Sequence, residues 1–535
     1  MKLLYNARIY TLETEQASQA DAILLDAGRI LAAGAADELR QQIRQARDAE
    51  DLDGATVMPA LVDAHLHLEH YALGLQKVDC ETGSLAECIR RVAQRAANTP
   101  PGEWVLGHGW NQNTWTQNSA LAQGGYPTAQ DLDRAAPARP VYLTAKSLHA
   151  AWANHAALQL AQIGADTPDP HGGRIGRDPS GCPNGILFES AMQLVEAHVP
   201  PPSEEQSAEA IQNALPSLWR FGLAGGHDFD GRRCFAALQR LHRQGKLRLR
   251  VIKGLPLEDL PHAAAIGLRG GFGDDWLRLG AVKLFADGAL GPRTAAMLQA
   301  YQGEADNRGL LLLDAEQLVE YGRLARASGF ALAVHAIGDR ANHEALNAFA
   351  QLQEEARLAP GAQPALRHRI EHVQLLHPAD AARLASLQVI ASMQPLHAPS
   401  DMRMADRFWG ERAALAYAWQ TQLKHGAALA FGSDAPVESP NPWWGIHAAA
   451  TRQEANGAPG PQGWYPEQRL TLLEALQAYT RGAAYAAGME QIQGRLAAGC
   501  LADLVVLNTD PFRLAAQELR EVKAQRLMIG GEWVV

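Results

Sequence analysis

Apolar positions along this chain fall into two regimes. In residues 1–56 and again near the C-terminus they form short runs broken by Gly and Asn: LLYNARIYTL and DAILLDAGRILAAG, then GRLAAGCLADLVVLNTD and LMIGGEWVV. Such runs predict strands joined by tight turns, with DAGRI and Gly530-Gly531 as hairpin turns. A helix is expected from Ala35 to Arg47. From Ser203 the rhythm changes. A helix opens on a Ser203 N-cap followed by Glu204 and Glu205 and runs to Phe221. Apolar runs then recur at 222–228, 249–255, 277–288, 330–339, 367–374, 388–398 and 427–435, separated by Ala/Leu/Arg/Glu-rich segments of helical period. With VMPALVDAH near 57–64 as the first, they make eight. Eight alternations of β and α predict a (β/α)8 TIM barrel over 57–70 and 200–489. The two β-rich ends, 1–56 plus 490–535, predict one composite β-sandwich-like domain.

Residues 71–199 break the rhythm. They hold a helix expected over 84–97, the stretch WVLGHGWNQNTW, a strand RPVYLTA and a Gly/Pro/Asp-rich loop. They read as an insertion after barrel strand 1. Because the segment leaves directly after that strand, it is expected to cap the carboxyl-end rim.

Composition narrows the class of protein. At 535 residues, two or three domains are expected. A net charge of −10 without any basic run argues against nucleic acid or an anionic membrane as partner. The five cysteines are scattered and odd in number, with no C-x-x-C pair, so neither a disulfide framework nor a zinc ribbon is suggested. No apolar run approaches the ~20 residues of a membrane span, and the first residues lack a signal-peptide pattern. The expectation is a cytoplasmic enzyme acting on a small molecule, with a homodimer left open.

The polar residues that close the apolar runs carry the chemistry. His65 and His67 end the first run two residues apart, so both rings can face one side. Lys283 lies in VKLFADG, His335 in AVHAIGD, His372 in IEHVQ and Asp434 in FGSDAP. All fall where a barrel puts its active site, at the carboxyl ends of strands. Imidazole and carboxylate are the usual ligands of zinc-like divalent ions. A lone buried histidine is more often a satisfied core residue. Four of them with an aspartate, each after a β-run, point to a metal. Lys283 admits two readings. It is either an ammonium paired with Asp287, or a desolvated neutral amine that adds carbon dioxide to give an anionic carbamate able to bridge two ions.

The order H-x-H, Lys, His, His, Asp on successive strands resembles the amidohydrolase superfamily. VKLFADGALGPRT, HAIGDRAN, RIEHVQ, SMQPLHAPSDM, GSDAPVESPNP and GRLAAGCLADLVVL are similar to the branch that includes N-substituted formamide deformylase and metal-dependent hydrolases. The resemblance spans essentially the whole chain. It implies two zinc ions, the more buried one held by His65, His67 and Asp434 and the more exposed one by His335 and His372. Carboxylated Lys283 would bridge them. It further implies attack of a shared hydroxide on an amide-like carbonyl, with Asp434 as general base and then acid. The substrate class it implies is N-formyl, N-acyl or cyclic amide. One departure is Leu396, where the branch carries a small polar residue before the histidine.

Two rivals remain at this stage. A mononuclear zinc deaminase of the same superfamily would resemble its kin in carrying a glutamate after the strand-five histidine, but the segment here is HAIGDR. A non-catalytic binding protein is disfavoured because all six metal-site residues are intact. Candidate substrate contacts are Trp110, His149, Trp152, His227, Asp228, Arg293 and His397. A structural role stays open for each, above all for the tryptophans.

Overall fold

The computed structural model describes residues 1–13, 19–43, 48–112, 115, 126–137, 139–145, 150–171, 173–358 and 366–535. The chain divides into two compact units, one of residues 1–71 and 211–535, the other of residues 72–210.

The first unit holds the barrel. Its eight parallel strands are β1 (Leu61–Leu66), β2 (Leu223–Asp228), β3 (Arg250–Pro256), β4 (Leu277–Phe285), β5 (Leu332–Ala336), β6 (Arg369–His372), β7 (Ile390–Met393) and β8 (Leu429–Phe431). They pair in sequence order from β1 to β8. Each later apolar run of the sequence holds its strand to within one residue. All six residues of β1 are buried, as expected of a parallel strand covered on both faces. The ring closes between β1 and the chain just after β8. Leu66 bridges Ala435 in parallel, Asp434 N donates to His65 O at 2.7 Å and His67 N donates to Ala435 O at 2.8 Å. Gly432 permits this approach, since a Cβ there would lie 2.4 Å from His65 N.

Both chain ends share one seven-stranded sheet in the same unit. Its order is Glu532–Trp533, Ala524–Ile529, Leu504–Leu507, Ala49–Pro59, Lys2–Tyr10, Gln19–Asp26, Arg29–Gly34. The sheet folds over on itself. Leu4, Ile23, Ile30, Val57, Val506 and Met528, from strands across its width, share one core. Two hairpin turns meet where it folds: Ala502 N donates to Gly28 O and Gly531 N to Ala502 O. At Gly28 and Gly530 φ is +77° and +59°, the left-handed region that tight hairpin turns need and glycine adopts freely.

Several boundaries differ from the sequence reading: the helix expected over 35–47 is Ala36–Arg40, and the insertion expected over 71–199 is the unit of residues 72–210. Val57 and Met58, expected in the first barrel strand, lie in Ala49–Pro59, where Val57 pairs with Ile9 and Val506. One apolar run serves two successive strands, separated at Ala60. The terminal sheet is also not a separate unit. Besides this direct continuity, Arg250 at the start of β3 makes a bidentate pair with Asp503, at 2.6 and 2.8 Å, with both side chains buried.

The second unit is built on a six-stranded sheet, in the order Gly173–Arg177, Pro183–Glu189, Ala150–Ala153, Val141–Ala145, Val105–Trp110, Val78–Asp79. The expected helix is Leu85–Ala97, with Ser84 Oγ accepting from Glu87 N. Trp110, Trp115 and Trp152 pack ring against ring at 6.3–6.5 Å in the core. Trp110 Nε1 donates to Leu143 O and Trp152 Nε1 to Thr128 O, each at 2.8 Å. Both rings are fully enclosed. The two tryptophans expected at a substrate pocket are therefore packing residues, because each ring lies in this unit's core and each N–H is taken by a backbone carbonyl.

Asp503→Ala should destabilise the first unit by about 3–5 kcal/mol, because it strands a buried guanidinium. Urea unfolding followed by tryptophan fluorescence checks this. A loss below ~1 kcal/mol would mean that water reaches Arg250.

Candidate metal centre

Five of the six expected metal-site residues carry contacts at the carboxyl ends of the strands that bring them to one another. His65 Nε2 lies 3.5 Å and His67 Nε2 3.4 Å from Asp434 Oδ1. Ligands held tetrahedrally at ~2.0–2.1 Å from zinc stand about 3.3–3.4 Å apart, so both separations are close to one edge of a zinc-sized polyhedron. His65 Nε2 is buried with no hydrogen-bond partner among the described residues, which a native interior rarely tolerates unless an ion completes it. The rings of His65 and His372 are 5.0 Å apart, and those of His335 and His372 4.6 Å. His372 and Asp434 also have φ of +77° and +59°. Such values cost non-glycine residues of order 1–3 kcal/mol each and cluster at functional sites.

Each imidazole is held from behind. His65 Nδ1 donates to Glu371 at 2.6 Å, His67 Nδ1 to Asp230 at 3.0 Å and His372 Nδ1 to Gln394 Oε1 at 2.8 Å. These bonds fix the tautomer and leave Nε2 as the ligand atom. His335 is held by its other nitrogen, Nε2 donating to Gly288 O at 2.9 Å. The electrostatics match this arrangement. Burial pushes the His65 pKa down to about 4, helped by Lys283, and that of His335 down to about 3 for the same two reasons. His67 is opposite: burial opposes its charge, but hydrogen bonds to Asp230 and Asp434 win and raise it to about 9. The pocket favours positive charge where two carboxylates converge. Asp434 is held well below the usual carboxylate range despite burial, by His67 and the other histidines.

Lys283 is buried, its Nζ 4.7 Å from the Phe229 ring centre and 5.0 Å from that of Phe285. Burial brings its pKa down to about 8, against the pull of Glu371 and Asp434, so a neutral amine is accessible near neutral pH. Asp287, the alternative ion-pair partner, is engaged elsewhere. Its carboxylate accepts from Ile337 N, Gly338 N and Ala296 N at 2.8–3.0 Å. A cavity of about 420 Å³ adjoins Lys283, walled by Phe229, Pro256, Leu257, Phe285 and Leu312.

The candidate substrate contacts separate. His397 joins the centre: its Nε2 is buried, without a hydrogen-bond partner among the described residues, and 3.8 Å from Asp434 Oδ2. His227 is enclosed in the barrel with Nδ1 accepting from Arg369 at 2.9 Å. Asp228 is equally buried, paired with Lys253 at 3.0 Å and accepting from Leu68 N at 2.8 Å. These bonds take up the Asp228 carboxylate and one nitrogen of His227, and both side chains are buried in the barrel, which corrects the sequence reading of them as substrate contacts. Arg293 pairs with Glu304 at 2.7 Å and lies over Phe408. His149 lies outside the described residues.

Sequence reasoning missed Asp63, Asp230, Glu371 and Gln394. Asp63 stands two before His65, and therefore on the same side of the strand. Glu371 and Gln394 lie inside the motifs RIEHVQ and SMQP, which marked them without giving a role. Asp230 carried no signal, being two residues past a strand end.

A parallel barrel whose strand ends gather imidazoles around a buried carboxylate defines a metal-dependent hydrolase. Residues 48–535 match the amidohydrolase family. YtcJ of Bacillus subtilis (strain 168) is 33% identical over 98% of both chains. The N-substituted formamide deformylase of Arthrobacter pascens is 30% identical over 99% of this chain and 97% of its own. The crystal structure of a metal-dependent hydrolase from Pyrococcus furiosus superposes with a TM-score of 0.79 at 29% identity, covering 96% of this chain and 100% of that one. The chain belongs to the amidohydrolase family; it is a divalent-metal-dependent hydrolase of the class acting on carbon–nitrogen bonds. No helix among the described residues is long and apolar enough to cross a membrane.

Glu371→Gln should lower divalent-ion affinity by about 10–100-fold, since it removes the charge that makes His65 a better ligand. Competition against a chromophoric chelator measures it. Unchanged affinity would show that Glu371 serves only its ion pair with Arg369.

Proposed function

We propose that the protein hydrolyses the carbon–nitrogen bond of a small amide-like substrate, N-formyl, N-acyl or cyclic, and that it does so with two divalent ions, zinc by the chemistry of the donors. The observation that carries this reading is the carboxylate of Asp434 facing His65 and His67 at tetrahedral-edge distances. His65, His67 and Asp434 would hold one ion. His335 and His372 would hold the other, with Lys283, carboxylated, between them. The likeness to an N-substituted formamide deformylase makes N-formyl compounds the first to assay.

When bound, the ions supply Lewis acidity that polarises the amide carbonyl and acidifies water. The residues of the chain do the rest. Asp434 accepts a proton from the attacking water at a carboxylate oxygen and delivers it to the leaving nitrogen, so that an amine and a carboxylic acid result. Glu371 and Asp230 hold His65 and His67 in the tautomer that presents Nε2. Phe229 and Phe285 lie against Lys283, which is buried, and that burial favours the uncharged amine needed for carbamate formation.

Zinc-loaded protein should release amine from at least one of these compound classes, and Asp434→Asn should lose about 10²-fold or more of that activity. Near-normal turnover in the variant would require another base. Lys283→Ala should bind metal weakly, and reloading of the stripped wild type should be faster with bicarbonate. Reloading indifferent to bicarbonate would exclude the carbamate.

A further inference from the structure

The second half of the centre contains a group that neither the resemblance nor the proposed function uses. Coordinating atoms of His372, His397 and Asp434 all lie within 4.8 Å of one another, and all three residues are buried. The His372 and His397 rings stack nearly parallel, 12° apart in plane with centres 6.0 Å apart. They are backed reciprocally. His372 rests on Gln394, which leaves β7 just before His397, while His397 Nδ1 lies 3.2 Å from Gln374, which leaves β6 just after His372. Among the described residues His335 belongs to no such group of three.

Resting on the two-ion reading above, we propose that His397 Nε2 is a further ligand of the second divalent ion, together with His372 and Asp434. Three observations carry it. His397 Nε2 is a buried polar atom with no hydrogen-bond partner among the described residues, and it is aimed at the Asp434 oxygen that the first ion's ligands leave free, Oδ2 rather than Oδ1. The 3.8 Å between them is too long for a hydrogen bond but close to the spacing of two ligands on one ion. Finally, Gln374 Oε1 is buried and unpartnered. A half-turn of that amide lets its oxygen accept from His397 Nδ1–H. His397 would then be oriented as His372 already is by Gln394, with the Nε2 lone pair facing inward.

The test is a zinc titration of the full-length protein against a competing chelator, with elemental analysis of the loaded forms. His397→Ala should weaken the second ion at least tenfold and leave the first unchanged. His372→Ala should do the same, and His65→Ala should instead weaken the first. Since a variant can fail by misfolding, a crystal of zinc-loaded wild type offers a second readout: an anomalous peak with His397 Nε2 within about 2.1 Å of it. Two undiminished affinities in His397→Ala, or an ion bonded to His372 with His397 Nε2 out of reach, would overturn the proposal. Wild type that takes up no divalent ion would overturn the proposed function instead.

Discussion

Strand β1 meets strand β8 through the carboxylate of Asp63. It accepts from His65 N and Ser433 N, each at 3.0 Å, and from Ser433 Oγ at 2.5 Å. Burial raises its pKa to about 7 against these bonds, so the fold spends stability to keep the group there. In return, one side chain sets the register between the residue before Asp434 and the strand that carries His65 and His67. The metal-site polyhedron spans the closing seam of the barrel, and its dimensions depend on that seam being held. A small displacement of β8 would move one vertex while leaving the other two in place.

Around this seam the upper barrel is filled with paired charge rather than hydrocarbon. Arg369 contacts Glu371, Ser392 Oγ, Ala64 O and His227 within the ring. Lys253, equally buried, pairs with Asp228 and donates to the carbonyls of Asp230 and Gly254. Asp230 in turn takes His67, His70 and two backbone N–H groups. Isolated, each such charge would cost several kcal/mol to bury, and even paired they are poor sources of stability. What they supply is orientation. Arg369 stands behind Glu371 and Lys253 holds the Asp230 carbonyl, while Glu371 backs His65 and the Asp230 carboxylate backs His67 and His70. The two histidines of the H-x-H pair are thus oriented by separate networks.

The barrel was legible because parallel strands covered on both faces leave unbroken apolar runs, and the chain order of those runs is the order in space. The histidines and Asp434 were legible because they end such runs, and Lys283 because it interrupts one. The limits have the same origin. VMPALVDAH shows one apolar run and gives no sign that Val57 belongs to a different sheet from Leu61, since both strands are buried. Trp110 was read as a candidate substrate contact, yet its ring lies in a core and its N–H is taken by a backbone carbonyl. Asp228 and His227 end a barrel strand as the metal-site residues do. What distinguishes them is a buried cation on another barrel strand, Lys253 on β3 and Arg369 on β6, which no local pattern records. Gln374 and Gln394 work only through histidines on each other's strand.

The placement of the strand Ala49–Pro59 has a consequence for biosynthesis. It pairs on one side with Lys2–Tyr10 and on the other with Leu504–Leu507, and it runs almost directly into β1. Its first neighbour leaves the ribosome before it, its second only after the whole barrel has been made. Until then an apolar strand keeps one bare edge, open to pairing with another chain. Long-range pairing of this kind is slow to form because loop closure precedes any compensating contact. The start of the barrel is therefore anchored only after the barrel itself has been translated, and a nascent chain stalled short of Leu504 carries the H-x-H pair without that support for its strand.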